Sequence, residues 1–261
     1  MGTTPASPST DLNGSGLIRL LAGLSLVEAA RSRQFPAERL GQWLDVADAI
    51  TLHAAQSAGA AMVPAAPPAL QPASVVAAAD EFARVRAALV DLITASCSPA
   101  GSSSGSRIRL PLPTSGTEPE IAAAYGPYRR FHLALQTEME AAVRALRGSI
   151  RRAFMPVSAR LGRLAVLDEA LDRILAARER QLLATTLPAL LEKRFQQLLA
   201  AHQQALIDSG QGDDPGLWMQ PGGWLATFRD ELQAVLIAEL DLRLQPVLGL
   251  VEAGQDEAGR H

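Results

Sequence analysis

The most regular pattern of apolar and polar positions lies near the C-terminus. In "WLATFRDELQAVLIAELDLRLQPVLGLVEA", apolar residues recur at Leu225, Phe228, Leu232, Leu236, Leu240, Leu244, Val247 and Val251. Their mean spacing of about 3.7 residues is helical and close to an eleven-residue repeat. Glu239 and Arg243, four residues apart, are expected as an exposed ion pair on this helix, and Pro246 as a kink near its end. Upstream, Leu161, Leu164, Leu171, Leu175 and Leu182 follow a heptad seam that Asp168 and Arg178 interrupt. A further seam follows Pro188 in Leu191, Phe195, Leu198, His202 and Leu206. Unbroken from 157 to 208, that helix would be about 78 Å long and would need a partner along its length. The turn-rich segment 209–222 offers the C-terminal helix as that partner. Gly126 and Pro127 mark the start of another helix, and Pro156 and Pro188 mark breaks or kinks.

The N-terminal half has a weaker pattern. Residues 16–30 and 36–58 read as a helical hairpin. A third helix carries Val75, Ala78, Phe82, Val85, Leu89 and Leu92 on one stripe. Within "FPAERLGQWLDVADAITLHAA", Pro36 suits a first helical position, and Leu40, Trp43, Leu44, Ala47, Ile50, Thr51 and Ala54 share an apolar stripe. Asp45 and Asp48 then fall on a solvated acidic face with Trp43 at its edge. Asp48 and His53 diverge by about 140° and cannot share a ligand.

Two low-complexity stretches divide the chain, an Ala/Pro-rich connector at 59–73 and a Gly/Ser-rich one that begins at Ser98. The expected organisation is a disordered tail (1–15), an N-terminal helical module (16–97) containing the 59–73 linker, a flexible linker (98–118), and a long antiparallel helical hairpin (119–261). Inside the second linker, "RIRLPLP" is expected to dock on the chain's own helices, with addition to another protein's sheet edge as the alternative. Aromatic residues are only 4% of a chain that is 48% hydrophobic, which favours helices packed through Ala and Leu. The fold class is therefore all-α, with a coiled-coil-like hairpin.

Charge adds one feature. Residues 129–163 carry eight arginines against Glu138 and Glu140, a net +6, whereas 209–261 carry nine acids against three arginines, a net −6. The two segments are complementary in sign, and a long apolar seam is compatible with either a monomer or a homodimer. Arg144, Arg147, Arg151 and Arg152 also form a candidate phosphate-contacting run, although no aromatic residues are interleaved with them.

Candidate chemistry is sparse. Cys97 is the only cysteine, and the histidines at 53, 132, 202 and 261 have no metal-ligand spacing. His202 lies on an apolar stripe with no second group positioned to use it. No catalytic residue, metal site or cofactor is expected. The start of the chain lacks the pattern of a signal peptide, so a cytoplasmic location is the expectation. The candidate partner surface comprises Trp43, Asp45, Asp48, Arg144, Arg147, Arg151 and Arg152. These features suggest a non-enzymatic interaction or scaffold protein with a protein partner. The alternative is an arginine-mediated nucleic-acid binder.

Two stretches, "GLIRLLAGLSLVEAARSRQFPAERLGQWLDVADAITL" and "LRGSIRRAFMPVSARLGRLAVLDEALDRILAARERQLLATTLPALLEKRF", resemble a bacterial family of uncharacterised proteins classed as a domain of unknown function. Members of that family are often encoded near OmpA-like and MotA/TolQ-type membrane proteins. The resemblance thus implies an accessory role beside an envelope complex, with a membrane-complex protein as partner.

Overall fold

The computed structural model describes residues 16–26, 46–61, 72–98, 107–114, 118–210 and 212–259. Trp43, Asp45, the tail 1–15 and most of both connectors lie outside these residues. Within them the protein is all-helical, without strands. The helices are α1 (Gly16–Gly23), α2 (Val46–Ala61), α3 (Pro72–Cys97), the single turn α4 (Pro119–Ala122), α5 (Gly126–Phe154), α6 (Ala159–Arg180), α7 (Leu187–Ser209) and α8 (Trp224–Ala258). A π-helical turn, Gln181–Thr186, joins α6 to α7.

Helix α8 is the axis of the packing, and α1, α3, α5, α6 and α7 all lie against it. All eight apolar positions that the spacing places on its stripe are buried, from Leu225 to Val251. Trp224, Val235 and Leu250 are buried as well, because neighbours surround α8 on more than one side. It remains one helix through Pro246, whose side chain faces solvent. Arg160 pairs with Glu257, Arg243 with Glu179, and Arg194 with Glu231, so α8 meets the 159–209 run in reverse order. The long helix therefore finds an apolar and charged neighbour within its own chain.

The prolines act differently. At Pro156 the chain turns, and Ser158 caps the next helix by accepting from the Leu161 amide at 3.1 Å. At Pro188 it does not break. Proline supplies no N–H and its ring crowds the preceding turn, and the helix accommodates it by widening, with the Leu187 amide donating to the carbonyl of Leu182.

Burial on α6 also departs from the expected seam. Leu161 is buried, but Leu182 is 57% exposed, and the inward positions include Gly162, Ala165, Asp168 and Ala170. Gly162 is buried where a Cβ would stand 3.2 Å from the carbonyl of Met155, Asp168 turns to Arg147 and Arg151 of α5, and α2 lies along α6 as well. Helix α2 turns Asp48, Leu52 and Ala55 toward the protein, leaving the expected apolar stripe, Ala47, Ile50, Thr51 and Ala54, exposed. Asp48 is thus half-buried rather than on a solvated face. A helix resting on the outside of another buries only a narrow strip, and here that strip is the i, i+4, i+7 set with Asp48 at its start.

The strip after the second connector docks on the protein. Leu110 is buried and its amide donates to the carbonyl of Ser96 at 3.0 Å. Near the far end of α8, Gly254 lets the helix approach α5 closely. A Cβ at that position would stand 2.7 Å from Cζ of the fully buried Phe154 and 3.4 Å from Val75. Gly254→Val should therefore destabilise the protein by about 1–3 kcal/mol through overpacking, read as a lower melting temperature. An unchanged melting temperature would show that Phe154 moves aside freely.

Candidate functional site

A glutamate at position 239 lies about 20° around the helix from Leu232, seven residues earlier, and so falls inside the apolar stripe of α8. Glu239 is fully buried and the Arg243 side chain only 7% exposed, so the pair expected at the surface is an internal one. The reason is the number of helices packed on α8, which leaves that face no solvent. Three residues serve the Glu239 carboxylate. His132 Nε2 lies 3.3 Å from Oε2, Gln136 Nε2 donates to both oxygens at 3.0 Å, and Arg243 donates to Oε1 through Nε and a terminal nitrogen. A carboxylate only accepts, so Nε2 of His132 carries the proton and Nδ1 is left buried and without a partner. Arg243 reaches on to Glu179 at 2.9 Å, near the end of α6.

Gln136 has a second role. Its side-chain nitrogen donates at 2.7 Å to the carbonyl of Leu183, in the π-helical turn. In the five-residue register of that turn, the donor for Leu183 would be residue 188, which is proline. The side chain of Gln136 thus supplies the hydrogen bond that Pro188 cannot. Tyr125 marks the same place from the other side, donating its hydroxyl to the carbonyl of Pro188 at 3.0 Å.

Burial alone would raise the Glu239 carboxyl, but the His132 hydrogen bond, the Arg243 charge and Gln136 together hold it below the usual glutamate range. Elsewhere burial dominates, pushing the Cys97 thiol up to about 12 and leaving it a packed, protonated side chain.

Above Glu239 opens a cleft of about 370 Å³ between α5 and α6, floored by Gln136 and Arg243 and bordered by Ala184 of the π-helical turn. Five arginines line it against the carboxylates of Glu140, Asp172 and Glu179. On its wall, Arg147 donates twice to Asp168, at 2.7 and 2.9 Å, and once to Asp172 at 2.7 Å. Arg151 bonds the same two aspartates at 2.6 and 2.9 Å. The result is a closed group of two arginines and two aspartates joining α5 to α6.

The candidate partner residues therefore separate. Arg144 is exposed at the cleft and tied to Glu140 of its own helix. Arg147 and Arg151 are internal ion-pair residues, and Arg152 is exposed. The partner of the basic run is thus mainly Asp168 and Asp172, and among the described residues the acidic C-terminal segment reaches that run through Glu257 on Arg160. Sequence reasoning treated Asp168 as an interruption, whereas its spacing of four from Asp172 matches the spacing of four from Arg147 to Arg151. His202 also has a partner. Its Nε2 lies 3.0 Å from Asp213 Oδ1, which accepts from the Trp218 indole at 2.6 Å and fastens the turn before α8.

With the site's geometry in view, comparison with known proteins places the chain in a family. A family model described as "Protein of unknown function (DUF3348)" matches residues 3–256. The protein belongs to that family. Neither a curated protein nor a solved structure matches it.

Replacement of Glu239 by Gln removes the charge that Arg243 and Gln136 answer and should cost about 3 kcal/mol at neutral pH. Because the folded-state carboxyl titrates below its unfolded value, its contribution is present at neutral pH. It is lost as pH falls from the ordinary glutamate range through the depressed folded value. Denaturant unfolding of both proteins across that range should show the gap between wild type and Glu239→Gln closing as pH falls. A gap independent of pH would show that the carboxylate charge contributes nothing.

Proposed function

We propose that the protein is a non-enzymatic interaction or scaffold protein, built around a coiled-coil-like antiparallel hairpin and docking on a protein partner through α2. The observation that carries this reading is the outer side of α2, where Val46 is 77% exposed and Ile50 65% exposed on a helix whose inner strip already rests on α6. Val46, Ile50 and Ala54 recur every four residues, the ridge spacing that an amphipathic helix of another protein can pack against. The family resemblance supports placing this partner in an envelope complex, with the protein on its cytoplasmic side. A nucleic-acid role is less supported, because Arg147 and Arg151 already bond Asp168 and Asp172 and are not free to meet phosphates.

Both side chains project outward, so Val46→Lys/Ile50→Lys should change stability by less than about 0.5 kcal/mol. Affinity capture from the native cell should recover a protein with the wild type that is missing with this variant. Identical recovery would remove α2 as the docking surface. Salt-sensitive binding to duplex DNA that Arg152→Ala weakens would instead favour the nucleic-acid reading.

A further inference from the structure

Arg173 and Arg180 line the cleft from α6, seven residues and about 10.5 Å apart along one face of the helix. Both are exposed; Arg173 donates through Nε to the backbone carbonyl of Glu169 at 3.4 Å, and neither pairs with a carboxylate among the described residues. The other lining arginines are engaged, Arg144 with Glu140, Arg147 with Asp168 and Asp172, and Arg243 with Glu179 and Glu239. Arg151 shares Asp168 and Asp172 with Arg147, so four arginines are held by the five carboxylates Glu140, Asp168, Asp172, Glu179 and Glu239. Arg173 and Arg180 raise the arginines to six and leave the cleft a local excess of one positive charge. Their spacing is within the joint reach of two arginine side chains bending toward one group. Arg180 directly precedes the π-helical turn, and such turns are frequent at binding sites. The cleft's volume of about 370 Å³ lies within the range of small-molecule sites.

We propose that this cleft binds a small phosphate monoester that also carries hydroxyl groups, of the sugar-phosphate type. A carboxylate presents two oxygens and is matched by a single guanidinium fork, whereas a phosphate monoester presents three and can accept from two. Arg173 and Arg180 grip the phosphoryl oxygens. The Glu140 and Glu179 carboxylates, on the opposite wall and beside Arg180, accept from the hydroxyls. Leu133, Val143 and Ala176 provide the apolar lining for the carbon skeleton. This site is separate from the outer face of α2, so ligand binding and partner docking can be tested independently.

Isothermal titration of the full chain with ribose 5-phosphate, glycerol 3-phosphate, inorganic phosphate and ribose, each to about 1 mM, tests the assignment. The phosphate esters should bind, inorganic phosphate more weakly, and ribose not at all. Arg173→Ala/Arg180→Ala should weaken ester binding by at least about tenfold, the scale of one charge-assisted hydrogen bond. Arg152→Ala/Arg163→Ala, which removes two exposed arginines that do not line the cleft, should leave binding unchanged. Arg173→Lys/Arg180→Lys, which keeps the charge without the planar fork, should restore only part of the affinity. Melting curves of each variant confirm that the fold is retained. Absence of binding by both esters overturns the proposal, as does equal weakening by the two alanine pairs. Inorganic phosphate binding as tightly as the esters overturns the role of the hydroxyls.

Discussion

Gln136 joins two groups that cannot be left alone in an apolar interior, the carbonyl of Leu183 that Pro188 deprives of its donor and the carboxylate of Glu239. An unpaired buried carbonyl costs on the order of 1–3 kcal/mol and an unpaired buried carboxylate more. One amide side chain on α5 therefore connects the irregular turn of the long helix to the middle of α8. His132 sits one turn earlier on α5 and Arg243 one turn later on α8, and both converge on the same carboxylate. Leucine packing tolerates small rotations of one helix about another. Directional bonds to a single carboxylate do not, so this cluster fixes the rotation of α5 and α8 and the position of the α6–α7 junction.

The surrounding structure extends that alignment outward. The Arg147, Arg151, Asp168 and Asp172 group fixes α6 on α5, and ion pairs at 160–257, 179–243 and 194–231 tie α8 to the long run at three heights. Close to the turn before α8, Phe195 meets Tyr125, Tyr128, Trp224 and Phe228, with ring centroids 5.0–5.4 Å apart for Tyr125, Tyr128, Trp224 and Phe228. This chain has few aromatics, and these five gather where α5, α7 and α8 meet. The cleft lies between α5 and α6 beside this fixed core, with Ala184 of the π-helical turn at its border. Among the described residues no helix is long and apolar enough to cross a membrane.

How much of this was legible depends on what each residue answers to. The α8 stripe could be read fully, because eight apolar residues at one period have only one way to be buried together. The all-helical class followed from scarce aromatics beside abundant alanine and leucine. Position 239 was misread because an i, i+4 acid–arginine pair is usually a surface feature. The corrective signal was its coincidence with Leu232 on the helical wheel. The α2 stripe failed for the opposite reason. Its apolar side and its packed side differ, and only the presence of α6 decides between them. Arg147 and Arg151 looked like an open basic run until α6 brought Asp168 and Asp172 opposite. For the candidate site, the arginines were visible as residue types, but the cleft depends on how α5 and α6 pack, which no local spacing specifies. Trp43 and Asp45 lie outside the described residues, so their part in a partner surface rests on the sequence alone.

The central claim is that Gln136 matters because Pro188 leaves the Leu183 carbonyl without a donor. A double-mutant cycle measures that dependence directly. Unfolding free energies would be determined for wild type, Gln136→Leu, Pro188→Ala and the double variant. Alanine at 188 restores a backbone N–H that reaches the Leu183 carbonyl in the π register. If the turn reverts to the α register, the Leu187 amide bonds Leu183 and the residue-188 amide bonds Ala184, so Leu183 has a backbone donor either way. Gln136→Leu should then cost less in the Pro188→Ala background than in the wild type, with a coupling of about 1 kcal/mol. Additive costs, with the glutamine equally important whether or not residue 188 is proline, would contradict the account.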